Sequence, residues 1–145
     1  MLENNHEKKP KKYAGILAHP TSFPSPYGIG DIGKGAYRFI DFLANSGLNL
    51  WQVLPLGHTG FGDSPYQPFS AFAGQPLIID LDALKEYKLL SEDDFNDMPE
   101  WDPVHIDYGT LITFKTKLLK LAYERFTDPD YEDGLSTDEE QMAAF

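Results

Sequence analysis

Two short apolar runs on either side of one amphipathic stretch limit most strongly how this chain can fold. The first, Ala14 to His19 (A-G-I-L-A-H), is closed by Pro20, and the second, Leu50 to Leu56 (L-W-Q-V-L-P-L), follows some thirty residues later. Each has the length of a strand and lacks the length of a helix. Between them, from Lys34, residues Ala36, Phe39, Ile40 and Leu43 recur at the helical period, and Gly47 stands where such a helix would end. Strand, helix and strand in about forty residues form a βαβ unit, which implies a parallel pair with a right-handed crossover. The expectation is an α/β fold whose first strand is buried.

The rest of the chain reads as loops and helices. Pro76 to Leu81 (P-L-I-I-D-L) reads as a third extended piece and Ala83 to Leu90 as a short helix. Ser91 to Asp94 resembles an N-cap followed by acidic first-turn residues. The clearest helix spans about 109 to 126, with Leu111, Phe114, Leu118, Leu121 and Ala122 on one face and Lys115, Lys117 and Lys120 off it. Thr137 and Glu140 open a further helix as a capping box, and Ala143, Ala144 and Phe145 begin its apolar face. Residues 1–12 read as a flexible tail. A single βαβ unit leaves two parallel strands with unpaired edges, which a compact domain tolerates poorly. The expectation is therefore the N-terminal part of a longer protein.

Composition removes several classes of function. The 145 residues include no cysteine, which excludes disulfides, thiolate metal sites and cysteine nucleophiles. The net charge is −11; residues 1–90 carry eight acids and eight bases, and residues 91–145 carry fifteen acids and four bases. An acidic second part argues against nucleic acid as a partner, since phosphate binding needs a basic face; a solvated helical surface explains it. No apolar run approaches the roughly 20 residues that span a bilayer, so no membrane role is expected. Met1 to Lys12 is polar and lysine-rich, unlike a secretory signal, and the expected location is cytoplasmic.

Two loops rich in proline and glycine follow the two strands, at His19 to Gly33 and Gly57 to Ser70. In α/β folds, loops at the C-terminal ends of parallel strands build the functional site. The stretch from Pro55 to Pro76 carries Phe61, Tyr66, Phe69 and Phe72, with Asp63, Ser64 and Gln67 between the rings. Flat apolar faces alternating with short hydrogen-bonding groups suit a sugar, although the same composition also serves an ordinary turn-rich connection. Gly28, Gly30 and Gly33 match the spacing of a dinucleotide fingerprint, yet the preceding strand ends about nine residues too early for that turn. His6, His19, His58 and His105 lack metal-ligand spacing, and neither Ser22 nor Ser64 sits in a nucleophile elbow.

The motifs H-P-T-S-F-P-S-P-Y-G-I-G-D-I-G and W-Q-V-L-P-L-G-H-T-G-F-G-D-S-P-Y-Q-P-F-S-A-F-A-G-Q-P-L-I-I-D-L resemble the N-terminal region of the amylomaltases, the 4-α-glucanotransferases or disproportionating enzymes. The resemblance spans roughly residues 13–126. It implies the N-terminal part of a TIM (β/α)8 barrel with an inserted subdomain, incomplete in this chain: residues 13–56 form the first βαβ unit, and 57–145 form the active-site loop and a helical subdomain. It also implies retaining transfer of α-1,4-glucan segments between maltooligosaccharides, without a metal or organic cofactor. The family uses a carboxylate nucleophile, an acid–base glutamate and a supporting aspartate, all beyond the last residue of this chain.

By the same resemblance, Ser64 and Tyr66 match residues that contact donor-side sugars, and Asp63 resembles a loop-shaping residue. Phe61 stands where many members carry a tyrosine that stacks on glucan at a remote second site. The aromatic partner of that site is replaced here by Ile112, and Gln75 replaces a usual asparagine before Pro76. A free-standing carbohydrate-binding or interaction module is the second function class the sequence leaves open, and oligomeric state is not legible. The resemblance predicts that the 145-residue chain alone releases no glucose from maltotriose. Turnover that a substitution within the chain abolishes would refute this.

Overall fold

A computed structural model describes residues 12–58, 64, 66, 67, 70 and 72–131. The expected strand–helix–strand unit is present. Strand β1 (Gly15–Leu17) and strand β2 (Leu50–Gln52) pair in parallel, with Gly15 opposite Leu50, Ile16 opposite Trp51 and Leu17 opposite Gln52. Helix α1 (Lys34–Asn45) connects them. The second strand stops short of the expected Leu56, before Pro55, a residue that cannot donate to a ladder. The prediction of a buried strand is corrected: Gly15 and Leu17 are exposed and Ile16 is half-buried, because the described residues place no further layer over the two strands.

Helix α1 ends in a Schellman motif. Gly47 takes a φ of +69° and donates to Ala44 O at 3.1 Å, while Leu48 N donates to Leu43 O at 2.9 Å. These bonds satisfy carbonyls that the helix end would otherwise orphan. Of the expected core face, Ala36 and Leu43 are buried, Phe39 is half-buried and Ile40 is exposed. Phe39 packs its ring against Phe23 (5.1 Å between centroids) and Trp51 (5.3 Å), and Phe23 lies 5.7 Å from Trp51. That aromatic trio joins the loop after β1, the helix and β2. Trp51 also donates its indole N–H to Ala18 O at 2.8 Å, fixing the ring at the strand end.

The main core lies elsewhere, under helix α3 (Tyr108–Phe126). Leu81, Leu89, Leu90, Phe114, Leu118 and Ala122 form one buried cluster with Tyr27; Leu77 and Leu111 form a second with Ile29. Tyr27 and Ile29 come from the first proline- and glycine-rich loop, which is therefore packed into the core and contains a 3-10 turn at Pro20–Ser22. The extended piece expected at 76–81 is also corrected. Pro76–Ile78 is a 3-10 turn, and helix α2 (Leu81–Glu86) begins directly after Asp80, whose carboxylate caps Asp82 N at 2.9 Å. Proline at the first turn position presets φ for this conformation. The helix expected at 83–90 ends at Glu86, and the chain reverses through Lys88 at φ 60°.

The third correction concerns Lys115. Placed off the apolar face by its charge, it is fully buried in the structure and shares the face of Leu111 and Leu118. Its ammonium donates to Leu77 O at 2.7 Å and to Ile79 O at 3.0 Å. The expected acidic turn after Ser91 is present at Glu92–Phe95, with Ser91 N donating to Asp94 Oδ2 at 2.7 Å. The helix proposed from Thr137 lies outside the described residues.

Arg125 closes the far end of α3 on that turn, donating to both oxygens of Asp94 (2.6 and 3.0 Å) and to Leu89 O at 3.0 Å. The guanidinium bonds lower the Asp94 carboxyl from its ordinary 3.8 to about 2. A depressed carboxyl contributes stability that is full above the unfolded value and is lost as pH falls toward 2. Arg125→Met should therefore cost about 1–3 kcal/mol near neutral pH. The deficit, read from thermal melts, should shrink as pH falls from 4 toward 2; an unchanged deficit would place its origin outside the ion pair.

Candidate functional site

Because β1 and β2 run parallel, the chain leaves both at the same end of the sheet, and the two proline- and glycine-rich loops begin there. The first loop is held by short-range bonds. His19 Nδ1 lies 2.7 Å from Thr21 Oγ1, Gly30 N donates to Thr21 O at 3.1 Å, and Ser25 Oγ donates to Asp31 Oδ2 at 3.3 Å. Asp31 is buried and accepts from Gly33 N at 3.0 Å; burial pushes its carboxyl above the usual value. Tyr27 donates its hydroxyl to Asp82, and burial, followed by that carboxylate, raises it to about 12.

The glycines of this loop serve packing. A Cβ on Gly30 would meet Pro20 O at 2.1 Å, and one on Gly33 would meet the Asp80 carboxylate at 2.3 Å. Backbone and an acid fill the space that a phosphate would need, so the G-x-G-x-x-G spacing here marks close chain approach.

The second loop is closed at its base by an antiparallel bridge between Gly57 and Gly74 and by Gln75 N donating to Leu56 O at 2.8 Å. Within it, Ser64 organises a turn: its carbonyl accepts from Gln67 N at 3.1 Å, and its hydroxyl lies 3.4 Å from Tyr66 N. That arrangement leaves the Tyr66 ring 70% exposed, standing clear of the core. Ser70 Oγ accepts from Phe72 N and Ala73 N, both at 3.2 Å, and the Phe72 ring is fully exposed. Two of the candidate residues, Ser64 and Tyr66, are thus brought into one turn. Asp63 and Phe61, together with Phe69, lie outside the described residues.

Two grooves border these loops. One, of about 390 Å³, lies between the first loop and residues 102–106 and is edged by Thr21, Ser22, Ser25 and His105. The other, of about 730 Å³, is mostly apolar and runs past the base of the second loop, with Leu56, Gln75 and Ile78 on one side and Tyr37 and Tyr87 among its walls. Neither includes Ser64 or Tyr66. Among the described residues no cluster of His, Asp or Glu is placed to hold a metal ion, and no helix is long and apolar enough to cross a membrane.

Lys115 is a buried charged residue that apolar periodicity alone does not reveal, bonded to the carbonyls of Leu77 and Ile79 past the base of the second loop. Burial pushes its amine down to about 8, against the pull of Asp31 and Asp80. A signal was present: 111, 115, 118 and 122 follow the 4-3-4 spacing of one helical stripe.

The profile of the 4-alpha-glucanotransferase family matches residues 18–145. The chain belongs to the 4-alpha-glucanotransferase family. Over 116 residues it is 47% identical to the 4-alpha-glucanotransferase of Synechocystis sp., covering 80% of this chain and 23% of that protein. The Clostridium butyricum 4-alpha-glucanotransferase is 50% identical over 115 residues, covering 79% and 24%. The one from Thermus thermophilus is 46% identical over 131 residues, covering 90% and 25%. Among solved structures, an amylomaltase from Streptococcus agalactiae in complex with acarbose matches with a TM-score of 0.74 and 43% identity, over 79% of this chain and 23% of that one. This family member thus spans about a quarter of the length of the curated relatives it matches.

Proposed function

We propose that this chain is the N-terminal part of a 4-α-glucanotransferase and supplies the donor-side loop of its glucan cleft. The observation that carries this is the family match from 18 to 145 at about a quarter of the relatives' length. In this reading residues 13–56 open a TIM (β/α)8 barrel and 57–145 carry the loop and an inserted helical subdomain. The whole protein transfers α-1,4-glucan segments between maltooligosaccharides by a retaining double displacement, with its carboxylates supplied from beyond residue 145. No cofactor enters that chemistry. The cysteine-free composition accords with a cytoplasmic setting.

The chemistry available in the second loop supports a binding role. Tyr66 offers an apolar face for the C–H surface of a glucose ring and a hydroxyl for its edge, and Ser64 adds a short donor and acceptor. The base bridge at Gly57 and Gly74 removes part of the freedom that sugar binding would otherwise have to freeze. Asp63 shapes the turn in this reading, and Phe61 faces a more distant glucan segment.

The test uses a full-length enzyme carrying this segment. Tyr66→Ala removes a stacked face and one hydrogen bond, together on the order of 2–3 kcal/mol. The expected loss in kcat/KM for maltotriose is roughly 30- to 150-fold, with kcat falling as well as apparent affinity if the contacts tighten in the transition state. Phe61→Ala should leave maltotriose kinetics near normal and change only long-glucan kinetics. A folded Tyr66→Ala enzyme with parental turnover would remove this loop from the active site.

A further inference from the structure

Three segments meet at the Lys115 ammonium. Leu77 and Ile79, whose carbonyls it takes, lie on the exit leg of the second loop, just past the Gly57–Gly74 bridge and Gln75. The carbonyl between them, that of Ile78, accepts from Ile32 N at 3.0 Å, near the end of the first loop. Three successive carbonyls are therefore each held by a partner distant in sequence, two by α3 and one by the first loop. The neighbouring Asp31, from the first loop, and Asp80, from the start of α2, act electrostatically on the same ammonium. Its charge thus balances acids on two of the segments it joins.

We propose that Lys115 is a positioning residue of the glucan site, setting the two strand-end loops against each other, and with them Ser64 and Tyr66, without touching substrate. This rests on the donor-loop function proposed above. An apolar residue of the same length would fill the volume but leave the buried Leu77 carbonyl and the part-buried Ile79 carbonyl without this donor, and Asp31 without its cationic neighbour. The 75–80 leg could then relax toward other partners. The second loop is continuous with that leg, so its register against the first loop would shift with it. A misplacement of about 1 Å remote from the chemistry can cost up to 100-fold in rate.

The test compares Lys115→Met, Lys115→Arg and Tyr66→Ala in the full-length enzyme carrying this segment. Lys115→Met should lower kcat for maltotriose by roughly 10- to 100-fold with a smaller change in KM. It should also speed amide exchange at Ile32 and Gln75 by at least about 10-fold. Lys115→Arg, which keeps charge and donors, should recover a substantial part of both. If Lys115→Met does not fold, the double variant with Asp31→Asn removes the uncompensated acid and takes its place. Parental kcat in a folded Lys115→Met enzyme or in that double variant, with Tyr66→Ala impaired, overturns the proposal, whatever the exchange rates. Equal losses in the Met and Arg variants overturn it as well. Parental kinetics in Tyr66→Ala sinks instead the donor-loop reading beneath it, while the exchange rates still report whether Lys115 holds the two segments.

Discussion

A lysine ammonium with no exposed surface is costly to bury, and the arrangement around Lys115 shows how that cost is met. Two carbonyl oxygens at 2.7 and 3.0 Å replace water, and two acids supply opposite charge without a direct ion pair. The carbonyls belong to residues 77 and 79, so α3 is tied to the 3-10 turn at Pro76–Ile78 through the side chain as well as through the packing of Leu77 on Leu111. With the turn fixed, Asp80 can cap α2, and α2 can deliver Leu81 to the core with no exposed surface. The first loop joins through Ile32, Ile29 and Tyr27. Much of the second half of the described chain therefore depends on one buried charge being satisfied.

The layout separates a well-packed part from an open part. The segment under α3 has two buried clusters, a bidentate Arg125–Asp94 pair at one end and the Lys115 contacts nearer the other. The β1–β2 pair is held chiefly by the Phe23, Phe39 and Trp51 rings and leaves Leu17 and Leu50 at least half exposed. Parallel strands are normally covered on both faces. The loops at the C-terminal end of this pair are those that the proposed function assigns to glucan.

The two loops share composition but differ in use. Both are dense in proline and glycine, yet the first sends Tyr27 and Ile29 into the core, while the second leaves Tyr66 and Phe72 outside. Tyr27 reaches inward because Asp82 accepts its hydroxyl and Phe95 packs on its ring at 5.5 Å. Among the described residues Tyr66 has only the Ser64 turn to shape it. An aromatic ring with a free face and a fixed base is suited to stacking, whereas one with both ends engaged is structural.

The sequence by itself determined the local elements and the family. Alternation of apolar runs with a 3.6-residue stripe predicted β1, α1 and β2; Gly47 marked the helix end and Ser91 the acidic turn, because these depend on residues a few positions apart. The D-S-P-Y motif nominates Ser64 and Tyr66 only through the family resemblance, and their sugar-binding role belongs to the proposed function. Only the tertiary structure decided which side chains were buried. Pro76 to Leu81 has the composition of a strand, but among the described residues it has no strand partner; Ile78 N and Ile79 N close a 3-10 turn on Gln75 O and Pro76 O, and Lys115 takes the carbonyls of Leu77 and Ile79. Lys115 lies on the apolar stripe by spacing, but a reading of apolar residues alone does not count it there. A buried lysine is tolerable only where distant carbonyls and acids converge, and that convergence of residues 31, 77, 79, 80 and 115 has no local signature in the chain.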